Sequence, residues 1–294
     1  RISRYGFSWL TIKELISQGV WNSITSLGSM LLTSFDLLIA NLFIGAAEMG
    51  VLSVAKSMPG LISGIGSTLA GVFFSEMTIN YAKNDIKGLT KTINESCMII
   101  GAIVTIPLAY LIVFGREFYL LWQPTMDPDR LQILSILTCA SFILCAGCNS
   151  INTIFTITLH LKQNAFSVLI SGGISTIITL ILVNTTNLGI YAVAAVSTVV
   201  DSIRNIIYIV PTAATYVGLK KIAFYPVILK SILSTIVLCI TGFLIKTIVV
   251  CDSWGILIVY AILFAVVGLG INFIIVLNRD TRQRLIAVVK AKIL

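Results

Sequence analysis

Charge is scarce in this sequence: Asp, Glu, Lys and Arg make up only 11% of the chain, against about 25% in soluble domains. With 57% hydrophobic residues and a mean hydropathy of +1.01, that scarcity excludes a soluble globular domain and leaves an all-α integral membrane protein. Histidine is nearly absent. A single His160 beside six cysteines, most of them inside apolar segments, gives no metal-ligand set and no disulfide framework, so neither metal nor cofactor is expected. The formal charge of +8 comes without a basic stripe interleaved with aromatics, and no nucleic acid is expected as a partner. Catalytic signatures are missing too. No G-x-x-x-x-G-K-[ST], G-x-S-x-G or H-E-x-x-H occurs, and GLISGIGSTLAG (60–71) lies inside an apolar run rather than after a strand, so no enzyme is expected.

Long apolar runs fill the space those motifs leave. A bilayer crossing needs about 20 mostly apolar residues, and eight segments qualify: 21–44, 59–80, 94–114, 130–158, 164–184, 188–215, 229–250 and 254–277. Pro59 suits a first helical position, and Asp127-Pro128 reads as an N-cap followed by proline at N1. Thr11 and Glu14 form a T-x-x-E capping box that would open an interfacial helix, IKELISQG, ahead of the first span. The expected divisions are a cytoplasmic linker and interfacial helix (1–20), a six-helix lobe (21–215), two peripheral helices (216–277) and a basic tail (278–294).

Lys and Arg sort between alternate connections, 15 in one set and 4 (Lys56, Arg116, Arg130, Lys246) in the other. That asymmetry puts both termini in the cytoplasm and WQPTMDPDR outside. The chain begins with Arg1 and shows no signal peptide, so further natural sequence is expected upstream.

Polar residues at helical spacing mark inward faces. The first span carries Asn22, Thr25, Ser29, Thr33 and Asp36, and the second Ser63, Ser67, Gly71 and Ser75. Cys145, Asn149, Asn152 and Thr156 follow in the fourth, Ser167, Ser171, Ser175 and Thr179 in the fifth, and Ser197, Asp201, Arg204 and Tyr208 in the sixth. The last two spans show no such stripe. Small hydroxyl residues serve helix packing as well as they line a cavity, and Asp201 with Arg204 three residues on can simply neutralise one another. Asp36 differs: no basic residue lies within a turn of it, so its partner comes from another helix, water, a cation or a proton.

Several stretches resemble a known family. FDLLIANLFIGAAEMGVLSVAKSMPGLISGIG (35–66) and FFSEMTINYAKNDIKGLTK (73–91) are similar to the start of the C-terminal half of Wzx-type polysaccharide flippases, members of the multidrug/oligosaccharidyl-lipid/polysaccharide exporter superfamily. The matching features are Asp36, an external G-x-x-x-V-A-K-x-x-P turn at Gly50–Pro59 and a cytoplasmic Y-A-x-N-D loop at Tyr81–Asp85. REFYLLWQP and NLGIYAVAAVST resemble later loops, and GVLSVA (50–55) echoes GIYAVA (189–194). Relatives often carry a proline where this chain has Ser75-Glu76.

The resemblance implies flipping of an undecaprenyl-diphosphate-linked oligosaccharide repeat unit across the bacterial inner membrane, with a first lobe of the same protein, a polysaccharide polymerase and glycosyltransferases as partners besides membrane lipids. Arg204, read as the only cation within a span, would meet the diphosphate. Asp201, Asn149, Asn152 and Tyr208 would complete the substrate site, and Asp36 would couple an ion or proton. An ion-coupled multidrug exporter of the same superfamily and a non-transporting scaffold for polysaccharide assembly are the alternatives. An exporter of that kind favours unpaired carboxylates and aromatic walls, and a scaffold would use its polar stripes for packing.

Overall fold

In hydrocarbon, backbone N–H and C=O groups must pair within the chain, which leaves helices as the natural solution for runs this apolar. The structure is a computed structural model that describes residues 9–247, 253–284 and 286, apart from the side chains of residues 10, 11 and 14. Among the described residues there are helices and no strands. The first span is α1 (Trp9–Thr33), a bend of 45°, then α2 (Phe35–Ile39) and a π-helical turn (Ala40–Ile44) that stops at Gly45. The next helices are α3 (Ala46–Ala82) and α4 (Ile86–Trp122), then α5 (Pro128–Cys145) with α6 (Cys148–Ile157), and α7 (Leu161–Thr185). Helix α8 (Ile190–Arg204) passes through a second π-helical turn (Asn205–Ile209) into α9 (Val210–Tyr216), and α10 (Tyr225–Lys246) and α11 (Trp254–Ile275) close the order. Seven helices are long and apolar enough to cross a membrane, and eight if the bent first pair is one span, in line with the eight expected.

Local chemistry explains several boundaries. Asp127 caps α5 as expected, its Oδ1 accepting from the N–H groups of Asp129 (3.0 Å) and Arg130 (3.4 Å), with Pro128 in the first turn. Asp85 caps α4 by accepting from Gly88 N–H at 2.9 Å, after Asn84 turns the chain with φ 55°. Pro211 cannot donate to the carbonyl one turn back, and the π-helical turn Asn205–Ile209 widens the ladder just before it.

Four expectations need correction. Helix α1 is already helical at Trp9, so Thr11 lies inside a helical run and not at a cap; the side chains of Thr11 and Glu14 fall outside the described ones. Gly50–Pro59 is no external turn: α3 begins at Ala46 and carries Pro59 in its interior, the kind of intramembrane proline that neighbouring helices tolerate. The fourth span is broken at residues 146–147, where Gly147 sits so close to α4 that a Cβ would meet the Cys97 carbonyl oxygen at 3.0 Å. Of the last two helices, α10 does have a polar face. Ser231, Ser234, Thr235 and Gly242 of α10 are buried, and α10 packs on α4.

Helix α4 is the hub of the bundle and packs against α3, α5, α10 and α11. Its buried face runs from Leu89 to Tyr119. Asn272 of α11 is fully buried against it, donating to the Ala102 carbonyl (2.6 Å) and Thr105 Oγ1 (2.9 Å) while accepting from Ser234. Helices α1 and α7 lie together on the other side of the bundle, and α8 joins α5 to α7. The polar faces of α1, α3, α5, α6 and α8 meet between these groups.

Candidate substrate cavity

Where those faces meet, the bundle holds a cavity of about 330 Å³. Ser29 and Thr33 of α1, Lys56 and Ser63 of α3, Asn149 and Asn152 of α6, and Ser197, Asp201 and Arg204 of α8 all line it. Each arrives there because three- or four-residue spacing keeps polar residues on one side of its helix. Of the candidate substrate residues, Asp201, Arg204, Asn149 and Asn152 are thus brought together. Tyr208 is not: it lines a neighbouring groove between α7 and α8, which Arg204 also reaches.

Asp201 and Arg204 are paired, Arg204 Nη2 donating to Asp201 Oδ1 at 2.8 Å. The other carboxylate oxygen accepts from Asn205 Nδ2 at 2.9 Å, a contact that spacing alone did not single out. Pairing does not exhaust the arginine. Its side chain is 10% exposed, yet Nε and Nη1 are buried without hydrogen-bond partners, as is Oδ1 of Asn205. Buried guanidinium donors are costly to leave unpaired, and beside a polar cavity their partners are water or a bound acceptor. The π-helical turn starting at Asn205 fits that reading, since such turns recur at functional sites.

Asp36, 2% exposed, finds its partner on another helix as expected: Lys56 Nζ donates to its Oδ2 at 2.7 Å and to the Thr33 carbonyl at 2.6 Å. Ser197 donates to the same carboxylate oxygen at 2.9 Å. This corrects the reading of Lys56 as an external loop marker and of Arg204 as the only cation within a span. Lys56 projects from the interior of α3 into the cavity, which therefore holds two cations, each tied to a carboxylate.

The other stripes divide. Ser67, Gly71 and Ser75 of α3 are exposed and away from the cavity, and Ser171, Ser175 and Thr179 of α7 are buried in packing rather than lining it. Cys145 and Cys148 line the cavity as small side chains. His160 stacks on Tyr216 (3.7 Å between ring centroids) at the end of α6. Cys251 and the basic residues Lys290 and Lys292 lie outside the described residues.

The chain is similar to known proteins over part of its own length or of theirs. Residues 2–122 match the family described as polysaccharide biosynthesis protein. The chain is 25% identical over 278 residues to an uncharacterized membrane protein, EpsK, of Bacillus subtilis (strain 168). That alignment covers 94% of this chain and 54% of the relative, so the chain spans about half the relative's length. No solved structure matches. Together these similarities support the polysaccharide flippase/exporter resemblance read in the sequence, and the apolar helices describe a multi-pass membrane protein.

Proposed function

We propose that this protein forms part of a transporter that flips undecaprenyl-diphosphate-linked oligosaccharide repeat units from the cytoplasmic to the outer leaflet of the bacterial inner membrane, acting as a transporter and not as an enzyme. The observation that carries the reading is Arg204, whose buried Nε and Nη1 lack partners at the wall of a polar cavity. A diphosphate supplies the acceptors such a guanidinium requires, and its charge offsets the cost of keeping an arginine within the bilayer. Asn149 and Asn152 present amide groups that suit sugar hydroxyls, and Asp201 holds the guanidinium in place. A second lobe of the same protein would close the cavity and rock against this one, and both termini of this segment would face the cytoplasm, where glycosyltransferases supply the substrate; a polymerase would take it up outside.

The multidrug alternative asks for an unpaired carboxylate, whereas Asp36 and Asp201 each carry a cation. The test is the double change Asp201→Leu with Arg204→Leu in the complete protein. It should leave expression and thermal stability near normal, because a pair kept for neutrality alone is replaceable by apolar residues, and it should abolish polysaccharide export. Normal export by that variant would overturn the proposal. Arg204→Lys should retain part of the activity, keeping the charge and losing the fork.

A further inference from the structure

In the pair of Asp201 with Arg204, the carboxylate is the more open half. Its side chain is 28% exposed against 10% for the guanidinium, and it lines the polar cavity without reaching the outer groove. Each carboxylate oxygen accepts one hydrogen bond, from Arg204 at 2.8 Å and from Asn205 at 2.9 Å, and keeps a lone pair free. Lys56 opens on the same cavity, with Asp36 buried behind it. The pairs cancel: Lys56 offsets Asp36, and Arg204 offsets Asp201. No other Lys, Arg or His lines the cavity among the described residues.

That neutrality constrains the cargo. A diphosphate linking a sugar to a lipid is a dianion, and an unbalanced charge held at membrane depth is unfavourable. A bare dianion would also meet Asp201 as a like charge. We infer that the substrate is bound as the magnesium complex of its diphosphate, a neutral unit whose divalent cation bridges the phosphate oxygens to Asp201. The inference rests on the proposed function and adds to it the ionic form of the substrate, the cation being part of the cargo and not a resident cofactor. Magnesium suits the donor set, because it keeps several waters and is held through one or two carboxylates together with substrate phosphates. Among the described residues no three His, Cys, Asp or Glu side chains gather as a cage. One open carboxylate is what the cavity offers to a cation that brings its other ligands with it. Asn149 and Asn152 line the same cavity, and amide oxygens are acceptors for the cation's waters.

The experiment uses the complete protein in phosphatidylcholine nanodiscs and a short-chain probe, N-acetylglucosamine linked through diphosphate to citronellol, with equilibrium binding measured in magnesium and in EDTA. Wild type should bind on the order of tenfold more tightly in magnesium. Manganese should substitute, its EPR spectrum showing an immobilised ion with protein and probe together and not with either alone. Asp201→Asn should abolish the gain from magnesium and leave binding in EDTA equal or tighter, since it removes a like charge that faces the dianion; Asp201→Glu should keep the gain. If Asp201 only positioned Arg204, Asp201→Asn would weaken binding in magnesium and in EDTA alike, and that result would overturn the inference. A magnesium gain that survives Asp201→Asn would overturn it too. So would equal wild-type binding in magnesium and in EDTA, a comparison that needs no variant to fold; the flippase reading would then stand, with the balancing charge supplied elsewhere in the complete protein. Absence of probe binding in both conditions would instead bring down the flippase reading.

Discussion

Lys56 donates to Asp36 across 2.7 Å, and that contact ties the interior of α3 to the bent segment of the first span. Ser197 donates to the same carboxylate, so three helices meet on one charge. Asp201 and Arg204 repeat the motif within one helix, where the pair leaves two guanidinium donors over. The two pairs are therefore unequal. Lys56 places two of its three donors on Asp36 and the Thr33 carbonyl, whereas Nε and Nη1 of Arg204 have no hydrogen-bond partner.

That difference predicts different mutational behaviour. Lys56→Ala should strand Asp36, 2% exposed, as a buried unpaired charge, and breaking a buried pair in this way costs about 3–5 kcal/mol. Thermal unfolding of the purified complete protein should show the loss. The double change Asp36→Leu with Lys56→Met removes both charges and should lie closer to wild type than Lys56→Ala does. A double variant no more stable than Lys56→Ala would mean that the pair is not what joins α3 to the first span. If Asp36 also couples an ion or proton, the double variant should fold yet fail to export.

Helices α1 and α7 cross through two glycines. A Cβ at Gly172 would stand 2.7 Å from Leu31 Cβ and 2.9 Å from the Gly28 carbonyl oxygen, while a Cβ at the adjacent Gly173 would meet nothing within 4 Å. Gly172→Ala should therefore push the helices apart at a cost of about 1–3 kcal/mol, the range for overpacking. Gly173→Ala should be neutral or stabilising, because alanine is the better helix former. Equal melting temperatures for the two variants would contradict the crossing.

Asn272 pins α11 to α4 and α10. Asn272→Leu removes a side chain that donates to Ala102 and Thr105 and accepts from Ser234, leaving a buried carbonyl and two hydroxyls to find other partners. A loss of about 1–2 kcal/mol is expected, at the upper end of measured interhelical hydrogen bonds in membranes. Arg204 lies outside this contact, so substrate affinity should be unchanged; a variant as stable as wild type would show that apolar packing alone holds α11.

The sequence carried the membrane class, the number of spans and most of the cavity, because apolar length and helical periodicity are local properties. Asp201, Arg204, Asn149 and Asn152 could be found on inward faces without knowing which helices are neighbours. Lys56 could not. Pro59 resembled a helix start and Lys56 a topology marker, and only the course of α3 from Ala46 shows that both lie within a helix. Tyr208 shares the spacing of Asp201 and Arg204, but the π-helical turn from Asn205 breaks the α-helical period, and Tyr208 lines the outer groove instead. Gly28 and Gly172 became legible only once α1 and α7 were known to touch. In α10, Ser231, Ser234 and Gly242 hid among apolar neighbours as an ordinary packing face.

Orientation supplies the last prediction. The connections gather at two ends of the bundle: residues 83–85 join α3 to α4 at one, and residues 123–127 join α4 to α5 at the other, separated by the 37 residues of α4. Lys83, Lys87 and Lys91 cluster at the first end, and that excess is what holds a loop in the cytoplasm. At the second end the basic residues are neutralised in place: Arg116 bonds Asp129 at 2.9 Å, Arg130 bonds Glu48 at 2.5 Å and Lys246 bonds Glu117 at 2.8 Å. In a cysteine-free version of the complete protein, Thr125→Cys should react with an impermeant maleimide added to intact cells. Ile86→Cys, also exposed, should react only after the membrane is opened. Labelling of Ile86→Cys in intact cells with Thr125→Cys protected would invert the protein and place the Lys-rich end outside.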